Sequence, residues 1–174
     1  MELPKRKHTR LKEYDYSMPG YYYVTIHLKD ESARLCKVGR GLAPAEAAVK
    51  LTFAGEIVEQ QLLQLEKRYS FVRVDKYVIM PNHLHVIFEF LEDAAGASPR
   101  PTLMDVVCAF KSLATRMCNK AENKTGRVLF QSSFYDHVIR NEQAYLECWN
   151  YIDGNPGKWL DNTAGASPRP TEDW

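Results

Sequence analysis

The sequence predicts an α+β fold, a ferredoxin-like sandwich with a mostly antiparallel sheet and helices on one face. Two observations predict it. Strand-like and helix-like segments follow one another roughly as β-(β)-α-β-β-α-β-α, the order of an α+β sandwich. Two strand-like runs, Val72 to Met80 and Leu84 to Leu91, are parted only by Pro81-Asn82, a turn signal that folds them back as neighbours.

The elements follow in chain order. Tyr21 to Leu28 is aromatic and β-branched and predicts the first strand. Ala33 to Val38 predicts a short second strand, with Lys50 to Phe53 as its partner. Ile57, Val58, Leu62, Leu63 and Leu65 alternate with Gln, Glu and Lys and predict an amphipathic helix over Gly55 to Tyr69. The Val72–Met80 and Leu84–Leu91 hairpin comes next. Leu103, Val106, Val107, Phe110, Leu113, Ala114 and Met117 keep helical spacing over Leu103 to Ala121. Leu129 to Ile139 is a further strand, and Asn141 to Asn155 a final helix. Asn141 is its N-cap with Glu142 in the first turn, and Pro156 is expected to end it.

Bulk properties set the class. A chain of 174 residues with 45% hydrophobic and 26% charged content suits one globular domain with a core. No apolar run is long enough to cross a bilayer, so no membrane partner is expected. The charged start from Lys5 onward lacks a secretory core, and the four cysteines form no CxxC pair. Both point to a cytoplasmic protein with reduced thiols. The formal charge of +1 hides an asymmetry. Within residues 1–12, Lys5, Arg6, Lys7, Arg10 and Lys12 stand against Glu2 alone, so a +4 segment precedes a −3 remainder. A basic arm of this kind suits phosphate contacts, and its competing reading is a solvated terminus.

The expected organisation is a basic arm over 1–20, a domain over 21–163 and a flexible tail over 164–174. The word Ala-Gly-Ala-Ser-Pro-Arg-Pro-Thr occurs twice, at Ala95–Thr102 and Ala164–Thr171. Its Pro and Gly content suits neither a helix nor a central strand. The first copy reads as a surface linker and the second as tail, with no surrounding similarity to suggest a solenoid.

The chemistry concentrates at two places. His83 and His85 stand two apart in a strand-like run, so both imidazoles share one face and offer half a divalent-metal site. The competing reading is a pair of hydrogen-bonded strand histidines. Tyr151 and Asn155 are four apart on the last helix and share a face. The Asn155 side-chain oxygen is a hard donor suited to Mg²⁺ or Mn²⁺. A metal near Tyr151 would lower the phenol pKa and polarise a phosphate, which allows a covalent phosphotyrosine intermediate. Tyr145, six residues before Tyr151, falls on a different helical face. Tyr14, Tyr16, Tyr21, Tyr22 and Tyr23 are candidates for base stacking, with strand packing expected for two or three of them. Glu89, of the same strand parity as the histidines, is the one support for a small metal-dependent hydrolase.

Four segments together resemble the REP-associated tyrosine transposases, relatives of the single-tyrosine HUH transposases. They are Arg10–Tyr16 with the YYYVTIH strand, Tyr77–His85, Ala109–Ser112, and Phe130–Glu142 running on to Tyr151–Pro156. The resemblance implies a HUH-type ferredoxin-like sheet. It implies His83 and His85 as the histidine–hydrophobic–histidine metal motif, Tyr151 as nucleophile and Asn155 as third ligand, a position held by glutamine in the insertion-sequence relatives. The implied substrate is single-stranded DNA folded into an imperfect hairpin, cut to leave a 5′-phosphotyrosine and a free 3′-OH. The implied assembly is a monomer or a homodimer. Lys5, Arg6, Lys7, Arg10 and Lys12 are then candidate DNA contacts, and Lys111, in a matching segment, is expected to face the site. His137 and Arg140 are further phosphate or structural partners. The alternative reading is a DNA-hairpin-binding protein of the same fold that does not cut.

Overall fold

The computed structural model describes residues 11, 13–30, 32–40, 47–92 and 100–161. Lys5, Arg6, Lys7, Arg10 and Lys12 of the basic arm lie outside the described residues, as do most of the first repeated word and all of the second.

Among the described residues six strands and four helices follow in order: β1 Gly20–His27, β2 Cys36–Arg40, β3 Ala47–Leu51, α1 Phe53–Leu63, α2 Leu65–Arg68, β4 Val72–Ile79, β5 His83–Phe90, α3 Leu103–Ala121, β6 Tyr135–Ile139 and α4 Glu142–Asp161. The main sheet has the order β4-β5-β1-β6, and every pairing in it is antiparallel. With α1 and α3 as crossovers this is the ferredoxin-like βαββαβ plan. The β2–β3 hairpin is inserted after β1, and α4 is appended at the end.

Strand periodicity assigns the two faces. Tyr22, Val24 and Ile26 of β1 and Leu84, Val86, Phe88 and Phe90 of β5 join one core with Val58 and Leu62 of α1 and Val106, Val107 and Phe110 of α3. The alternate residues Tyr23 and Ile87 join a second core with Cys148 and Ile152 of α4. The expectation of helices on one face therefore holds for α1 and α3, while α4 crosses the opposite face. Sequence periodicity does not distinguish these faces, because both carry aromatic residues in β1.

A β-bulge lets β4 serve both cores. The pairing with β5 shifts between Val74 and Lys76, so Asp75 is the extra residue. Before the bulge Val72 and Val74 face the α1–α3 core; after it Tyr77 and Ile79 do. The same shift turns Asp75 and Lys76 toward α4, where they bind Tyr145 and Asp153.

Several boundaries differ from the sequence reading. Thr52 caps the first helix through Gly55 N–H, so it starts at Phe53 rather than Gly55. That helix divides at Gln64, whose N–H turns to the Gln60 and Leu62 carbonyls. The predicted strand from Leu129 shrinks to β6, because Phe130 bridges Leu28 separately and residues 131–134 loop out between the two pairings. Pro156 does not end α4, which runs to Asp161 with the proline inside. Proline lacks an N–H, so its cost there is the lost bond to the Ile152 carbonyl. Asn141 does cap α4, accepting from Ala144 N–H at 2.8 Å. Among the described residues no helix is long and apolar enough to cross a membrane.

Candidate functional site

The site lies between β5 and α4. His83 and His85 leave the α4-facing side of β5, with ring centroids 4.6 Å apart at 72°. Cross-strand register places His27 opposite His83 and Thr25 opposite His85. All four side chains share one face of the sheet.

Each histidine is anchored through Nδ1. His83 Nδ1 donates to Asn82 Oδ1 at 2.7 Å. Asn82 is itself fixed in the β4–β5 turn, where its carbonyl accepts from Leu28 N–H and the Pro81 carbonyl from Leu35 N–H. His85 Nδ1 lies 2.8 Å from both Tyr23 Oη and Thr25 Oγ1. In the tautomer protonated at Nδ1, one of these hydroxyls accepts from the ring and the Nε2 lone pair faces α4.

From α4, Asn155 meets both rings. Its Nδ2 stands 3.3 Å from His85 Nε2, and its amide also hydrogen-bonds His83 and Tyr151. The Tyr151 ring packs edge-on against His85 with centroids 5.3 Å apart. Lys158 Nζ lies 4.9 Å from the Tyr151 ring centroid, and the Trp159 ring stands 6.0 Å from His83. Helical spacing brings Tyr151 and Asn155 to this face, and Lys158 and Trp159 join them because α4 continues through Pro156.

The enclosure is tight. His83 is 0% exposed, His85 1% and Asn155 3%, whereas Tyr151 is half-buried. Burial holds the His83 imidazole down to about 3, with repulsion from His27 adding to it. Burial likewise puts His85 well below its ordinary value, with His83 and His27 contributing. Both rings are neutral at neutral pH, the form that ligates metals. Burial raises the Tyr151 phenol, while the Asn155 hydrogen bond opposes that rise.

This donor set fits a divalent cation. Two neutral imidazoles and an amide converge, and each imidazole is oriented from behind by an oxygen acceptor. Among the described residues no group of three or more His, Cys, Asp or Glu is arranged for a metal.

The other expected residues fall elsewhere. Lys111 does not face the site: α3 lies on the opposite side of the sheet, and Lys111 Nζ donates to the Ser132 carbonyl at 2.9 Å. Tyr22 and Tyr23 of β1 are buried, as expected for strand packing, and Tyr16, in the turn before β1, is buried against Tyr22. Tyr145 donates to Asp75 at 2.8 Å, and burial, with this bond adding to it, pushes its phenol up to about 12. Glu89 accepts from Tyr21 Oη and lies four residues along β5 from His85, about 13 Å away. His137, opposite Tyr23 on β6, and Arg140 stand beyond β1 from the histidines. Cys36, Cys118 and Cys148 are buried free thiols and Cys108 is exposed. His27, Thr25, Asn82 and Trp159 were not anticipated, and Tyr23 was expected only in stacking or strand packing. The parity of the YYYVTIH strand could have found His27, Thr25 and Tyr23, given the β1–β5 register.

No family model matches the chain. An uncharacterized protein of Haemophilus influenzae is 31% identical over 169 residues, covering 88% of this chain and 89% of that one. The structure of the REP-associated tyrosine transposase bound to a REP hairpin is similar in fold, with a TM-score of 0.59 at 19% identity over 86% of this chain and 73% of that one. The chain belongs to one family with the Haemophilus influenzae protein, and its fold is similar to that of the REP-associated tyrosine transposase, as the sequence resemblance implied.

Proposed function

We propose that the protein is a transposase-like enzyme that cuts single-stranded DNA beside an imperfect hairpin and transfers the strand through Tyr151. The observation that carries this reading is the Asn155 amide, which hydrogen-bonds His83, His85 and Tyr151 together. A strand-borne metal half-site and a helix-borne phenol are thereby joined by one side chain.

In this reading His83, His85 and Asn155 hold a divalent cation, Mg²⁺ or Mn²⁺. Rotation of the Asn155 amide presents Oδ1 in place of Nδ2. The cation, when bound, would polarise the scissile phosphate and favour the phenolate. Tyr151 Oη attacks phosphorus, and the bond from phosphorus to the 3′-oxygen breaks. The phenolic proton passes to solvent, and the departing 3′-oxygen takes one up as a free 3′-OH. The phosphodiester is conserved as a 5′-phosphotyrosine, so attack by another 3′-OH reverses the step without added energy. Tyr23, Thr25 and Asn82 keep both imidazoles oriented.

The test is a covalent-adduct assay with Mn²⁺ and labelled single-stranded hairpins from the flanks of the protein's own gene. Wild type is expected to give a protein–DNA band on a denaturing gel, and Tyr151→Phe and His83→Ala none. An adduct that persists in Tyr151→Phe overturns the nucleophile. Tight binding without any adduct in wild type leaves a hairpin-binding protein that does not cut.

A further inference from the structure

Lys158 stands beside the candidate nucleophile. Its Nζ lies 4.9 Å from the Tyr151 ring centroid, and the two residues share a face of α4 two turns apart. The side chain is exposed and takes part in no ion pair among the described residues. Asp153, earlier on the same helix, is held by Lys76 at 2.7 Å instead. The next residue, Trp159, has its ring 6.0 Å from that of His83, which sets this turn of α4 against the histidine strand.

The charge at this place has a chemical use. Around the same phenol, His85 packs edge-on at 5.3 Å, the Tyr23 ring lies 6.3 Å away and Asn155 supplies an amide, all neutral groups. A phosphodiester carries one negative charge, and attack by a phenolate brings a second onto the five-coordinate phosphorus. A fixed positive group that meets charge where it develops lowers the barrier. A lysine does this as a compact point charge on a flexible stem.

We propose that Lys158 is a catalytic residue that binds a non-bridging oxygen of the scissile phosphate beside Tyr151. The proposal rests on the Tyr151 strand-transfer reading above and adds a residue to it. In a near-attack geometry phosphorus stands about 3–3.5 Å from Oη. An amine already lying over the phenol reaches a phosphoryl oxygen there by turning its terminal bonds. The bond from Oη to phosphorus forms and the bond to the 3′-oxygen breaks, while the ammonium neither gives nor takes a proton. Were α4 to stop at Pro156, Lys158 would not share the Tyr151 face. The plain alternative is a surface lysine that rests on an aromatic ring and touches no substrate.

The test compares wild type, Lys158→Met and Lys158→Arg in single-turnover adduct formation with Mn²⁺ and saturating gene-flank hairpin, with the hairpin Kd measured separately. Once wild type has fixed the cleaved linkage, a second hairpin carries an uncharged methylphosphonate there. Lys158→Met is expected to leave Kd unchanged and to slow adduct formation on the phosphate at least about tenfold. Lys158→Arg should keep most of the rate. On the methylphosphonate the gap between wild type and Lys158→Met should nearly close, because the charge that Lys158 meets has been removed from the substrate. An undiminished rate in Lys158→Met overturns the proposal and leaves the Tyr151 reading intact. So does a gap of equal size on both linkages, or Lys158→Arg as slow as Lys158→Met. A wild type that forms no adduct brings down the Tyr151 reading and this proposal together.

Discussion

Asn155 Nδ2 and His85 Nε2 lie 3.3 Å apart although 70 residues separate them in the chain. The contact is the point where α4 closes on β5, and the same amide reaches His83 and Tyr151. Asn155→Ala would remove the amide that α4 places against the histidines, the third ligand in the proposed site. Mn²⁺ affinity, followed by titration calorimetry, is expected to fall at least about tenfold. Asn155→Gln keeps the amide on a longer stem and should retain most of the affinity. If Ala and Gln behave alike, the amide is not a ligand.

In the proposed metal site Tyr23 and Thr25 would orient His85 rather than bind the cation themselves. Their hydroxyls flank His85 Nδ1 at 2.8 Å each. Thr25→Val and Tyr23→Phe keep the packing and delete one oxygen apiece. Each is expected to weaken Mn²⁺ binding by about tenfold, since such partners fix the tautomer and aim the ring. The double variant should lose more than either single one. Wild-type affinity in the double variant would show that the hydroxyls only satisfy a buried ring.

Much of this site was legible because its spacing is local. Two residues along a strand put His83 and His85 on one face, and four along a helix put Tyr151 and Asn155 on one face. The ends of α3 were readable for the same reason, since Thr102 and Asp105 form a capping box just before a clean apolar stripe. The features that were missed depend on pairing between distant segments. Thr25 and His27 join the site through the β1–β5 register, which periodicity does not fix. Lys111 was expected at the site because its segment matched, yet α3 packs on the other side of the sheet. The persistence of α4 past Pro156 was missed because tertiary packing of α4 on the sheet outweighed a local breaker.

Lys76 holds α4 to the sheet in two ways. Its Nζ binds Asp153 at 2.7 Å and lies 3.7 Å from the Trp149 ring centroid. Asp153 is 58% exposed on its side chain, so the ion pair is screened and contributes little. The ring contact is worth about 0.5–1 kcal/mol. Lys76→Ala should therefore cost about 1 kcal/mol in urea unfolding, and Asp153→Ala about half that or less. Equal losses in the two variants would assign the docking to the ion pair instead.

Gly55 tests how closely α1 approaches the loop before β2. A Cβ at this position would fall 1.9 Å from the Leu35 carbonyl oxygen, which is backbone and cannot swing away. That oxygen is also tied down, accepting from Thr52 N–H at 2.9 Å and from Thr52 Oγ1 at 3.1 Å. Gly55→Ala gains helix propensity of about 1 kcal/mol, but the clash forces α1 off the loop and breaks the Thr52 cap. The net expectation is a loss of about 1–3 kcal/mol in urea unfolding, with an unchanged m-value. Gly154→Ala is the control, since nothing lies within 4 Å of its added Cβ inside α4. That variant should be more stable than wild type by up to about 1 kcal/mol. The opposite signs separate a glycine required by close approach from one that helix geometry merely tolerates. A Gly55→Ala protein as stable as wild type would mean that α1 rides free of Leu35.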